Sequence, residues 1–314
     1  DLNFLVGGSY EDQGGKTAGL TTDYDRKTYS GYMQVDYKVL DWLKVVGGAQ
    51  YNNPSGRQND FSPRIATVVN INENWGLKIM YGEAFRTGYA VESFINLPTI
   101  IVGNPDIRPE KIATAEAQFF YHSSRYEGAL TIYHSKVTDI IVRIGSSLGG
   151  RTYSNEGEMV FKGIELESKA NLGSGWSLQG SMMYQESKDA FGVKNGTLSP
   201  NIMVKAGISY ASEGGYSIGL FESFYGNPAP IRDFTSMIQE LNPPATSYHL
   251  LTANININLN NVLNLDDKIP LILSIYGDNL FNEDIYYPEY NRRNINSFPS
   301  YAGRSVYATL MIKY

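Results

Sequence analysis

The side chains with chemistry to offer recur in one kind of company: tyrosine or phenylalanine beside arginine. Tyr286, Tyr287, Tyr290, Arg292 and Arg293 fall within the last 29 residues, Arg232, Phe234 and Met237 stand further back, and Tyr153 has Arg143 and Arg151 near it. Aromatic faces stack and a guanidinium supplies charge with a planar fork of donors, so each set suits a planar anion or a metal chelate. The same residues also suit anchoring at a membrane interface, and residue type alone weighs the two readings equally. A fourth stretch, Tyr81–Glu110, divides by role. Its interior residues Tyr89, Glu92, Phe94 and Asn96 are the ligand-contacting candidates. Glu83, Arg86, Asn104 and Glu110 are read as the base of the connection, held by charge-assisted hydrogen bonds.

Nothing in the sequence supplies the machinery of an enzyme. There is no cysteine, which excludes disulfides and thiolate metal sites. The histidines His122, His134 and His249 stand at no metal-ligand spacing. No nucleophile elbow, phosphate-binding loop, dinucleotide fingerprint or zinc-protease helix motif occurs. The expectation is a non-catalytic chain with no metal and no cofactor of its own. A formal net charge of −6 leaves no basic footprint for nucleic acid.

The elements that must position these residues show in hydrophobic periodicity. From Gly303 to Tyr314, Val306, Ala308, Leu310, Ile312 and Tyr314 share one face of a strand, and Tyr307, Thr309, Met311 and Lys313 the other. About fourteen such segments recur along the chain. In Tyr248–Leu259, for example, Leu251, Ala253, Ile255 and Ile257 oppose Thr252, Asn254, Asn256 and Asn258. Segment lengths of about 9–12 residues match a tilted crossing of the hydrocarbon layer, and no apolar run approaches the roughly 20 residues of a spanning helix. A mean hydropathy of −0.29 would suit a soluble protein, but every second residue of a barrel strand faces away from lipid. The 24 tyrosines and 31 glycines fit aromatic girdles and many turns.

Connection lengths then alternate. Short turns at Leu40-Asp41, Asn72-Glu73-Asn74, Gly173-Ser174-Gly175 and Glu213-Gly214-Gly215 separate long connections such as Asn52–Ser62, Phe85–Lys111, Val137–Glu158, Gly226–Thr246 and Asn282–Ala302. Asn260–Ile269 is intermediate. Outer-membrane barrels place short turns in the periplasm and long loops outside, and closure leaves no unpaired edge. The fold class expected is all-β, an antiparallel transmembrane β-barrel in the outer membrane of a Gram-negative bacterium. Its partners there are lipid and the lipopolysaccharide whose phosphates the loop arginines would meet. A soluble β-rich binding or adhesive protein is the rival reading, and it requires the apolar rows to pack under a second layer.

Four stretches resemble the TonB-dependent outer-membrane receptors. Tyr81-Gly82-Glu83-Ala84-Phe85-Arg86 resembles the segment before that family's large mid-barrel loop. Gly103-Asn104-Pro105-Asp106-Ile107-Arg108-Pro109-Glu110 resembles the box that closes it. Asn155-Glu156-Gly157 with Lys162-Gly163-Ile164-Glu165-Leu166-Glu167 is similar to a strand-opening motif. Asp278-Asn279-Leu280-Phe281-Asn282 with Pro299 and Gly303-Arg304 resembles the C-terminal signature. The resemblance implies that residues 1–314 are the C-terminal part of the barrel, about 14 of roughly 22 strands, with the first strands, plug and TonB-interacting segment missing. The chain opens directly on strand-like Leu2-Asn3-Phe4-Leu5-Val6 with no signal peptide, which fits a truncation. The function implied is energy-coupled uptake of a scarce ligand captured by external loops, coupled to the TonB complex through the plug. A ferric siderophore is the first expectation, with cobalamin, haem or an oligosaccharide as other cargoes and a passive fourteen-strand pore as the rival. No histidine lies between Arg86 and Asn104, where haem-binding members often carry one. The inward polar rows, Glu165, Glu167 and Lys169 with Asn254, Asn256 and Asn258, would hydrogen-bond the surface of the plug.

Overall fold

The computed structural model describes residues 1–16, 19–20, 24–97, 99–145, 150–197, 199–228, 243, 245–265, 269–288 and 299–312. They form two compact units, one of Asp1–Phe119, Ile132–Lys162 and Lys188–Gly192, the other of Phe120–Thr131, Gly163–Ser187 and Val193–Tyr314. The chain runs β1 (Leu2–Gly15), β2 (Tyr24–Leu40), β3 (Leu43–Pro54), β4 (Asp60–Asn70) and β5 (Trp75–Arg86). After these come a one-turn helix α1 (Ala90–Phe94) and two short strands, β6 (Asn96–Leu97) and β7 (Ile101–Val102). Then follow β8 (Glu110–His122), β9 (Tyr126–Gly145), β10 (Arg151–Gly173), β11 (Trp176–Asp189), β12 (Ile202–Ala211), β13 (Tyr216–Tyr225) and β14 (Tyr248–Asn258). The helix α2 (Leu259–Leu263) and strands β15 (Leu271–Asp278) and β16 (Ser305–Ile312) complete the order. Apart from β6 and β7, each strand pairs with the next in sequence, and the path holds fourteen strands.

Register sorts the side chains onto two faces. In the first unit Val6 lies opposite Met33 and Phe4 opposite Val35, and Ile65 opposite Tyr81. In the second, Ile208 lies opposite Leu220, Ile218 opposite Ile255, and Ile255 opposite Ile275. Directly opposed residues share a face, so within each unit these rows join into an apolar surface. The other face is polar. Ser177 and Ser209 hydroxyls meet at 2.6 Å, and Asn256 accepts from Ser274 at 2.7 Å. The apolar rows are open, with Val6 76% and Val306 66% exposed. Among the described residues the buried hydrophobics are only Ile101, Ile107, Tyr153 and Ile285, and both helices are five residues long. A soluble sheet would hide its apolar face under a helix layer or second sheet; no such layer covers these rows among the described residues.

The short-turn ends carry stacked aromatics. Trp75 stacks on Phe119 with centroids 4.9 Å apart. Trp176 meets Tyr210 at 4.9 Å, and Tyr210 meets Tyr216 at 6.0 Å. This is the chemistry of an interfacial girdle, an apolar ring with a polar tip. The turn before Trp176 needs three consecutive positive φ values, 82° at Gly173, 50° at Ser174 and 84° at Gly175. A Cβ on Gly175 would collide with the Ala211 carbonyl, so glycine there lets the two chain segments touch.

Two expectations are corrected. The stretch from Val137 to Glu158 is mostly ladder, because β9 runs on to Gly145 and β10 begins at Arg151. The fourteen strands of the sequential path are 8 to 23 residues long rather than 9–12. Above the lipid both faces of a hairpin are wet, so pairing continues where alternation stops.

Candidate ligand-binding site

The connection between β5 and β8, in the first unit, is built on one guanidinium. The Arg86 Nε donates to Glu110 at 2.6 Å, and its two terminal nitrogens reach the Glu92 carboxylate at 3.0 and 3.2 Å. Glu92 also accepts from the Tyr89 backbone N–H at 2.7 Å, closing a capping box that starts α1. The Tyr89 ring lies under the same guanidinium, 4.9 Å away. Glu110 uses its second oxygen on the Ile141 N–H at 2.8 Å. One fork thus ties a strand end, a helix and the neighbouring hairpin together. Gly103 completes the fit, because a Cβ there would collide with the Ser93 and Phe94 backbone.

The box that follows holds itself through amides. Asn104 donates to the Tyr153 carbonyl at 3.0 Å and accepts from the Asp106 N–H at 2.9 Å. Asn155 accepts from the Arg108 N–H at 2.8 Å and donates to the carbonyls of Arg108 and Asp139 at 2.9 and 2.7 Å. Arg108 also pairs with Asp139. Ile101, Ile107 and Tyr153 pack behind this network, with Ile95 and Ile141 against them.

On this base three connections converge. Asn96 donates from its backbone to Gly19 at 2.8 Å, and Leu20 bridges Ile95. Arg57, from the β3–β4 connection, reaches the Pro105 carbonyl and lies over the Phe94 ring at 5.1 Å. Tyr24 packs against Phe94 at 6.2 Å, and Arg26 lies 5.6 Å from the Tyr24 ring. Burial pulls Arg57 below its ordinary value and Arg26 adds like-charge repulsion, yet a guanidinium stays protonated. Two half-buried cations held by aromatic faces gain when an anion arrives, because part of their hydration has already been given up.

In the second unit the β15–β16 connection has its own base. Asn279, fully buried at φ 47°, donates to the carbonyls of Glu283 and Ala302, both at 2.9 Å, and accepts from the Glu283 N–H at 3.0 Å. Asn282 accepts from the Arg304 N–H at 2.9 Å, and Tyr301 donates to Asp278 at 2.9 Å. Ile285 is 1% exposed beneath them.

The family model for the TonB dependent receptor-like β-barrel matches residues 2–280. The chain belongs to this family. It is an outer-membrane β-barrel protein of the Gram-negative type, in a family of receptors and transporters rather than enzymes. The iron-regulated outer membrane virulence protein of Vibrio cholerae serotype O1 is 24% identical over 152 residues, 46% of this chain and 23% of that protein. The ferric enterobactin receptor PfeA of Pseudomonas aeruginosa, in complex with enterobactin, aligns with a TM-score of 0.78 at 13% identity, covering 99% of this chain and 51% of that one. The siderophore receptor PirA of Pseudomonas aeruginosa aligns with a TM-score of 0.73 at 15% identity, covering 99% and 51%. At these identities the solved structures show a shared fold. The chain spans about half their length and 23% of the curated relative.

Within this TonB-dependent receptor chain, the residues singled out by sequence divide. Arg86, Glu92, Glu110 and Tyr89 come together, Asn104 sits in the adjoining box, and Phe94 faces Arg57. Glu92, read as ligand-contacting, is engaged by Arg86 and the helix start. Tyr153, read likewise, is buried at 6% exposure, with Arg143 5.8 Å from its ring. Glu83 stands apart from the Arg86 fork and accepts from the Tyr81 hydroxyl at 2.6 Å. Asn96 and Arg151 are exposed on strand ends. In the second unit Tyr287 is exposed and its N–H donates to Ser300 at 3.0 Å, while Tyr286 is half-buried. Arg232, Phe234, Tyr290, Arg292 and Arg293 lie outside the described residues. Tyr24, Arg26 and Arg57 were missed, because no motif marks them and their partners are distant in sequence.

Proposed function

We propose that the chain is the C-terminal, loop-bearing part of the wall of a TonB-dependent transporter that takes up a ferric siderophore, with the energy-coupling plug encoded outside residues 1–314. The observation that carries this reading is the Tyr24–Arg26–Arg57–Phe94 cluster on its fixed base. Aromatic faces and paired guanidinium groups match a chelate that is planar in its parts and anionic overall. The relatives support it: PirA is named a siderophore receptor, the PfeA structure holds enterobactin, and the Vibrio protein is iron-regulated. Capture by loops followed by plug rearrangement would require the loop base to stay rigid while the cluster meets the ligand.

The test is iron-limited growth of a deletion strain on a panel of ferric siderophores. Growth should fail on at least one siderophore that the parent uses, and Arg57→Ala should weaken binding of that siderophore by about tenfold, the weight of one stacked cation in a partly dry site. Unimpaired growth on every member of the panel would reject the siderophore reading.

A further inference from the structure

The lipid-facing wall of the second unit is not smooth. Gly180 of β11 lies opposite Ala206 of β12, and Ala206 lies opposite Glu222 of β13. Ser168 of β10 donates to the Gly180 carbonyl at 3.5 Å, which carries the same row of small residues one strand further. The row on one side is large, Leu178 opposite Ile208 opposite Leu220, and so is the row on the other, Met182 opposite Val204 opposite Phe224. Small residues beside the Leu178–Ile208–Leu220 row leave a furrow of about 600 Å³ across the strands, which that row lines. Gly207 and Gln179, from inward-facing positions, line it as well, as do Glu127 and Lys169.

One end is closed by an ionisable pair. The Glu222 Oε1 lies 2.7 Å from His249 Nδ1, and the His249 ring packs on Phe224 at 4.9 Å. Glu222 is six residues along the strand from the girdle residue Tyr216. Six residues give about 20 Å of strand, or about 14 Å of depth at a 45° tilt, inside an apolar band about 25 Å tall. A carboxylate at that depth is costly, and its partner is the imidazole beside it. His249 engages one carboxyl oxygen, Oε1, and the other, Oε2, is buried without a hydrogen-bond partner among the described residues; the pair sets an end to the furrow.

We infer that this furrow seats one acyl chain of a membrane lipid. A wall of close-packed residues loses dispersion contact wherever a void is left, and what surrounds this wall is hydrocarbon. A methylene chain lies flat on a glycine–alanine–serine floor and touches the large Leu178–Ile208–Leu220 row beside it. A protein partner fits less well, since fourteen residues line the furrow against the roughly 20–30 a side that a stable protein interface engages.

Photolabelling tests this. The protein purified from outer membranes is reconstituted into phosphatidylethanolamine–phosphatidylglycerol vesicles containing phosphatidylethanolamine with a mid-chain diazirine. Labelled peptides are then mapped by mass spectrometry. Peptides holding Gly180 and Ala206 should be labelled several-fold more than those holding Ile255 and Ile275, which form a smooth lipid-facing row. Ala206→Leu fills the floor and should bring that labelling down to the smooth-row level. Gly180→Ala is the milder second variant: its Cβ would sit 3.5 Å from Ser168 Oγ and 3.6 Å from the Lys205 carbonyl, ordinary contacts that leave the wall intact, and it should lower labelling in part. Even labelling along the wall, labelling unchanged by either variant, or cross-links from the furrow into a second polypeptide would overturn the assignment.

Discussion

Arg86 does at the scale of one residue what the β5–β8 connection needs as a whole. Replacing it with alanine leaves Glu92 and Glu110 as part-buried carboxylates without their shared cation, a loss of about 2 kcal/mol for local opening. Protease cleavage within residues 87–109 should then quicken by about 30-fold, since cleavage tracks the open population. Arg86→Lys should fall between, because an ammonium cannot hold two carboxylates with one planar fork. Tyr301 offers a pH test. Its donation to Asp278 pushes the phenol from its ordinary value of 10.0 up to about 12. The folded pKa lies above the unfolded one, so this bond contributes stability in full below pH 10 and loses it as pH rises toward about 12. Asp278→Asn should return the phenol toward 10, read as the phenolate absorbance that Tyr301→Phe removes. Much of this residue-level order is legible in the sequence, since Asn104 and Asn279 stand in recognisable boxes. Their amides satisfy two or three backbone groups at once, and neither a shorter nor a charged side chain would. Glu92 and Tyr153 carry no such mark: their loop position makes both look ligand-facing, and only the fold shows that Arg86 engages one and that the other is buried.

At the scale of elements, the fourteen strands are readable because one of their faces meets hydrocarbon, which enforces a period of two. That enforcement ends at the interface. The continuation of β9 to Gly145 and the start of β10 at Arg151 are therefore hidden among residues that look like loop. The convergence of Tyr24, Arg26, Arg57 and Phe94 is hidden more deeply, because it joins three separate connections. The aromatics flanking the short turns carry a prediction of their own. Trp75 stacks on Phe119 and Trp176 packs tilted against Tyr210, each at the same end of its strand. In bilayers of brominated lipid, tryptophan fluorescence should be quenched more strongly by bromine near the headgroup than by bromine at the middle of the chain. The opposite order would remove the girdle.

For the whole molecule, every assignment of loop, turn and lumen depends on which way the apolar rows point. Residues 1–314 contain no cysteine, so a single reporter introduced among them is the one labelled thiol of this stretch. Nitroxide labels on cysteines substituted one at a time from Leu251 to Ile257 of β14 would be examined in membranes, comparing collision with oxygen, which concentrates in hydrocarbon, and with a water-soluble nickel chelate. Leu251, Ala253, Ile255 and Ile257 should show high oxygen and low nickel accessibility, and Thr252, Asn254 and Asn256 should show low oxygen accessibility, in strict alternation. Oxygen accessibility that is flat along the strand, or highest at the asparagines, would contradict a lipid-facing wall.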